Sequence, residues 1–143
     1  MTTRTGSARY EGLGKDGKGW VSTQSGVLKD QRYGFGTRFD DEPGTNPEEL
    51  IAAAHASCFT MALSFALARA GHAEGTLETT ANVSLEKDGD GFTITASALH
   101  LTAKVPGISP EDLAQIAEGA KANCPVSKVL TANISLTHEL SAV

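Results

Sequence analysis

Leu77, Thr79, Ala81, Val83 and Leu85 alternate with Glu78, Thr80, Asn82, Ser84 and Glu86. A period of two with one apolar side predicts a half-buried strand. Lys87-Asp88-Gly89-Asp90-Gly91 then turns the chain, and Phe92, Ile94, Ala96 and Ala98 carry the alternation on. The apolar phase next moves to Leu99, Leu101, Ala103 and Val105, which predicts a long hairpin with a β-bulge near Ala98. Ile134, Leu136, His138 and Leu140 alternate as a closing strand. Three shorter runs, 7–12, 19–23 and 33–39, open the chain between Gly-rich and polar turns and read as a small meander.

A different pattern occupies the middle. Asn46-Pro47-Glu48-Glu49 carries a helix-start signature, with Asn as cap, Pro at the first helical position and acids in the first turn. The helix is expected to run to Ala70, with Gly71 ending it, about 24 residues or about 36 Å. Its positions 50–68 contain no charged residue, a length that reaches a membrane span. Seven alanines with His55, Ser57, Thr60 and Ser64 make it too weakly hydrophobic for lipid, so cover by protein on nearly all sides is expected. Ser109-Pro110-Glu111-Asp112 starts a further helix to about Ala122, and Pro125 to about Ala132 adds a short one. The order βββ, α, ββ, α, short α, β predicts an α+β architecture, a mainly antiparallel sheet with a long buried central helix, in a single domain over 1–143.

Composition narrows the partners. The 143 residues are 40% hydrophobic and 20% charged with net charge −5, ordinary for a soluble domain. No Lys/Arg cluster suits nucleic acid or an anionic membrane surface, so a small or neutral ligand is the better match. The first twelve residues, MTTRTGSARYEG, lack a secretory apolar stretch, which points to a reducing cytoplasm, where a disulfide is transient rather than structural.

Against that background the two cysteines stand out. Cys58 and Cys124 lie 66 positions apart, outside any C-x-x-C or zinc spacing. Cys58, mid-helix and apolar, reads locally as a small core residue; to be a thiolate it needs a cation from elsewhere, and Arg38, placed at a strand end before the 40–46 loop, is a candidate if it is not simply a surface arginine. Cys124 precedes Pro125 and takes a cap position, where it is either the readier thiolate or an inert cap. Glu49, at the third helical position, suits a capping-box acid. His55 shares a helix face with Cys58, which makes a metal pair conceivable, although no further ligand lies nearby. Phe35, Phe39, Phe59, Met61 and Phe65 serve either an apolar pocket or the core.

With these residues in view, the chain resembles the osmotically inducible protein C (OsmC) family within the wider OsmC/Ohr group of organic hydroperoxide resistance proteins. The resemblance rests on G-W-V-S-T-Q-S-G-V-L from Gly19, Y-G-F-G-T-R-F from Tyr33, T-N-P-E-E-L-I-A-A-A-H-A-S-C-F from Thr45 and N-C-P-V-S-K-V-L from Asn123. The arginine within Y-G-F-G-T-R-F makes the chain similar to the OsmC branch more than to the Ohr branch. The resemblance implies a thiol-dependent peroxidase working as an intertwined homodimer, with sites at the subunit interface. Cys58 would attack the peroxide, Cys124 would resolve the sulfenic acid as a disulfide, and Arg38 with Glu49 would activate Cys58. It further implies organic hydroperoxides, with hydrogen peroxide as a second substrate, an external dithiol of lipoyl type, and no metal, flavin or nucleotide. The competing reading is a non-enzymatic redox sensor or binding module, oxidised once rather than turning over.

Overall fold

A computed structural model describes residues 1–142, in two compact units divided at Leu50 and Ile51. In the first, β1 (Gly6–Glu11), β2 (Lys18–Thr23) and β3 (Gln31–Tyr33) form the expected antiparallel meander in that order. Arg9 and Arg32 sit directly across from Trp20 on its two neighbouring strands, and their guanidinium carbons lie 4.6 and 5.4 Å from its ring. Facing cation–π pairs of this kind fix the register of a sheet with a three-residue edge strand.

The third strand is shorter than the sequence pattern predicts. After Tyr33 the chain turns into a short helix, α1 (Phe35–Phe39). Thr37 closes that turn: its hydroxyl oxygen accepts from the Gly34 N–H at 2.8 Å and donates to the Gly34 carbonyl at 3.1 Å. Arg38 is therefore on a helical turn and not at a strand end. Gly44 follows at φ 144, where a Cβ would come within 2.3 Å of the Arg32 carbonyl oxygen. That same oxygen accepts from the Thr45 N–H at 2.9 Å, so glycine is what lets the loop close onto β3.

Asn46 caps the long helix α2 (Pro47–Arg69) as expected, its Oδ1 accepting from the Glu49 N–H at 2.8 Å while its Nδ2 donates to the Thr37 carbonyl at 3.0 Å. Gly71, at φ 96, ends it, and the His72 N–H bonds back to the Leu67 carbonyl at 2.9 Å. By length and composition α2 could cross a membrane. From residue 51 onward its buried positions nevertheless form one narrow stripe, His55, Phe59, Leu63 and Leu67, each four residues after the last. Met61 and Phe65 remain 62% and 60% exposed. Among residues 51–142 the packed elements meet this one stripe of the helix.

In the second unit β4 (Thr76–Asp88), β5 (Gly91–Lys104) and β6 (Asn133–Leu140) form a sheet in that order. β4 and β5 make the predicted hairpin. Ser84 faces Ala96 and Leu85 faces Ile94, so Thr95 is the extra residue of the bulge, three positions before the expected Ala98. Pairing is antiparallel throughout except for β6, which runs parallel to β5. The chain reaches it by a crossover through α3 (Pro110–Asn123) and α4 (Pro125–Val129), the kind of connection a parallel pair requires. Ser109 caps α3 by accepting from the Asp112 N–H. The core packs Phe59, Leu63 and Leu67 of α2 against Leu99, Leu101 and Ala103 of β5 and Leu113, Ala117 and Ala120 of α3, with Cys124 fully buried among them.

Candidate active site

Cys124 sits between two helices, its N–H closing α3 on the Ala120 carbonyl at 2.9 Å and its carbonyl accepting from the Lys128 N–H at 3.1 Å in α4. Its ψ of 125° is the extended value forced on a residue before proline. This bend, together with the middle of α2, brings the two free cysteines within hydrogen-bonding reach across 66 positions of sequence. Burial pushes the Cys124 thiol up. The Cys58 thiol, the Ser127 amide and hydroxyl and the Val126 amide all donate to its sulfur and together outweigh burial, holding it below the ordinary thiol range. Cys58 moves the other way, raised by burial and by donating to Cys124, with the Val126 amide as the one opposing influence. Of the two thiols Cys124 is therefore the readier to ionise, which repeats the ranking that local sequence physics gives.

His55 lies beside this pair, fully buried, with Nδ1 2.6 Å from the Ser97 hydroxyl and Nε2 2.8 Å from the Ser127 hydroxyl. Burial lowers its pKa, so the ring is neutral. Both nitrogens are engaged by serines, which leaves no lone pair for a metal shared with Cys58. Among the described residues no group of three or more His, Cys, Asp and Glu could hold a metal ion.

In the first unit, Arg38 is gripped by a carboxylate, but not the one expected. Its Nε lies 3.0 and 3.1 Å from the two carboxylate oxygens of Glu48, and its Nη2 also contacts Oε1. Glu49 instead accepts from the Thr45 hydroxyl at 2.8 Å. The two acids differ by one helical position, about 100° around the axis. α1 faces the side that carries Glu48, and its side chain is only 11% exposed. The Arg38 partner predicted at Glu49 is thus corrected to Glu48. Arg38 also lines a cleft of about 280 Å³ with Tyr10, Lys15, Tyr33, Phe35, Phe39 and Pro47. Of the five apolar residues singled out in the sequence, Phe35 and Phe39 line this cleft, Phe59 is core, and Met61 and Phe65 face outward.

Three residues at these sites escape the sequence reading. Glu48 is obscured by the equally plausible Glu49 beside it. Ser127 follows Cys124 by three positions, on the first turn of α4, a spacing that could have suggested a hydroxyl turned back toward the sulfur. Ser97 falls in the buried phase of β5 with Leu99, Leu101 and Ala103; a polar residue in an apolar phase signals a buried partner, though not which one.

The model of the family described as OsmC-like protein matches residues 39–139. The chain belongs to the OsmC-like family. This OsmC-like protein is 54% identical to "Peroxiredoxin OsmC" of Escherichia coli (strain K12) over 139 residues, 97% of each chain. It is 38% identical over 102 residues, 70% of each chain, to "Organic hydroperoxide resistance protein OhrA" of Bacillus subtilis (strain 168). In three dimensions the OsmC-like protein is similar to the crystal structure of the organic hydroperoxide resistance protein OhrB of Bacillus subtilis, with a TM-score of 0.69, 28% identity and 98% of both chains covered. It shares its fold with an OsmC structure from Legionella pneumophila at a TM-score of 0.65 and 24% identity over 99% of each chain.

Proposed function

We propose that this protein is a thiol-dependent peroxidase that reduces organic hydroperoxides through Cys58 and recycles through a Cys58–Cys124 disulfide. It is a peroxiredoxin-like, hydroperoxide-reducing enzyme, as relatives with those names at 54% and 38% identity indicate. The observation that carries the reading is the pair of free sulfurs in hydrogen-bonding reach, one of them wrapped in donors.

The Cys58 thiolate attacks one peroxide oxygen, the O–O bond breaks, and the alkoxide leaves as alcohol after taking a proton. Cys58 is then a sulfenic acid. The Cys124 thiolate attacks that sulfur, hydroxide departs as water with another proton, and the disulfide forms. One thiolate of an external dithiol attacks the Cys58 sulfur, expelling Cys124. Its second thiol displaces Cys58 and closes the reductant's own disulfide. The sum is hydroperoxide plus dithiol giving alcohol, water and a cyclic disulfide; the family resemblance favours a lipoyl-type reductant. A lowered Cys124 pKa makes more of the attacking thiolate available for the second step and a faster leaving group for the third.

Burial and the neighbouring Cys124 both disfavour a Cys58 thiolate, so the proposed chemistry calls for a cation beside it, the role the family resemblance gives Arg38. Arg38 fits, because a guanidinium keeps its charge and Glu48 fixes its direction. Aromatic walls beside Arg38 suit an alkyl or aryl peroxide better than hydrogen peroxide. The uncovered face of α2, with Met61 and Phe65, suits a second copy of the chain, and the homodimer is part of this proposal, as is action in the cytoplasm.

A dithiol-coupled assay with a bulky alkyl hydroperoxide tests the reading. Cys58→Ser is expected to abolish consumption, and Cys124→Ser to leave a sulfenic acid or mixed disulfide that a trapping reagent captures. Unchanged turnover in Cys58→Ser refutes the proposal, and oxidation that stops at one equivalent despite excess dithiol identifies a sensor instead.

A further inference from the structure

His55 is a buried titratable group for which the chemistry above has no use. A hydroxyl carries one proton, and a neutral imidazole carries one N–H. The Ser127 oxygen faces two partners, His55 Nε2 at 2.8 Å and the Cys124 sulfur. If His55 held its proton on Nδ1, Ser127 would donate to Nε2 and turn its lone pairs toward the sulfur, opposing a thiolate. With the proton on Nε2, His55 donates to Ser127, Ser127 donates to Cys124, and Ser97 donates to Nδ1. Every group is then satisfied. His55 and Ser97 are 0% and 1% exposed, so water does not compete for these bonds.

We propose that His55 is a positioning residue for Cys124: held as the Nε2–H tautomer by Ser97, it commits the one proton of the Ser127 hydroxyl to the Cys124 sulfur. Among the described residues of this unit, the titratable groups bearing on that sulfur are Cys58 directly and His55 through Ser127. The lowered pKa of His55 agrees, since a charged ring would donate from both nitrogens and reverse Ser97. The value of this arrangement to turnover rests on the peroxidase reading, in which Cys124 is the attacking thiolate and later the leaving group; the proton arrangement itself does not.

The test separates the two. Nitrogen NMR of the reduced protein is expected to show His55 protonated at Nε2 alone, and an Nδ1–H tautomer overturns the proposal. In the Cys58→Ser background, thiolate absorbance then titrates Cys124 by itself. Ser127→Ala and His55→Leu are each expected to raise the midpoint by about one pH unit, a tenfold smaller thiolate fraction, the loss of one hydrogen bond to a charged group. His55→Gln, whose amide can donate to Ser127 and accept from Ser97, is expected to hold the midpoint near that of the parent. No shift in Ser127→Ala, or an equal shift in His55→Gln and His55→Leu, overturns the proposal. Loss of the peroxidase reading would appear separately, in the coupled assay, and would leave these titrations standing.

Discussion

One helical position separates Glu48 from Glu49, and only the first holds Arg38. If Arg38 supplies the charge that Cys58 needs, Glu48→Gln should lower the rate of peroxide consumption about tenfold or more, as expected for about 1.4 kcal/mol of lost orientation. Glu49→Gln should stay near the parent, and the coupled assay compares the two directly. Arg38→Ala should fall further than Arg38→Lys, which keeps the charge and loses the fork. His55 adds a pH dependence with a definite sign. Its folded pKa is lowered by burial, so the unfolded chain binds the proton more readily below the ordinary value near 6.5. Stability should be undiminished above that value and fall as the pH drops from it toward the folded value. Denaturant midpoints across this range should show the loss, and His55→Gln should flatten it. The cysteines and Arg38 stand out in the sequence because their residue types announce chemistry, but the choice between neighbouring acids as the partner of Arg38 depends on which side of α2 meets α1, and no local pattern encodes that.

α2 and its partners were well signalled by caps and breakers: Asn46, Pro47, Gly71, Ser109 and Pro110 all act where their chemistry predicts. The errors have physical causes. Tyr-Gly-Phe-Gly-Thr-Arg-Phe reads as extended by its aromatic alternation, yet the Thr37 hydroxyl bonds to both backbone groups of Gly34 and winds it into a turn. The bulge falls at Thr95 and not near Ala98 because Ala96 and Ala98 are small enough to sit on either face, so the phase change was visible only where leucines begin. Leu63 is fully buried in the α2 stripe, and Leu63→Ala should cost about 2–5 kcal/mol by chemical denaturation. An equal change at Met61, 62% exposed, should cost far less to the isolated chain.

That contrast matters for the assembled protein. A helix buried along one stripe only, with Met61 and Phe65 open, leaves apolar surface of the kind that marks an interaction site. If a second copy covers it, Met61→Asp with Phe65→Asp should halve the mass measured by light scattering, and peroxide consumption should fall with it. The assembly was inferred from resemblance, since a sequence records an uncharged helix face but not what lies against it. A separate consequence follows from the parallel strand β6. The β4–β5 hairpin joins neighbours along the chain and can pair as soon as it is made, whereas the outer edge of β5 must wait for α3 and α4 to be synthesised before β6 arrives. During translation that edge offers unpaired N–H and C=O groups to any passing strand. The folding protein is therefore most exposed to aggregation before β6 docks, and chaperone capture should be stronger for released chains truncated before Asn133 than for the full chain.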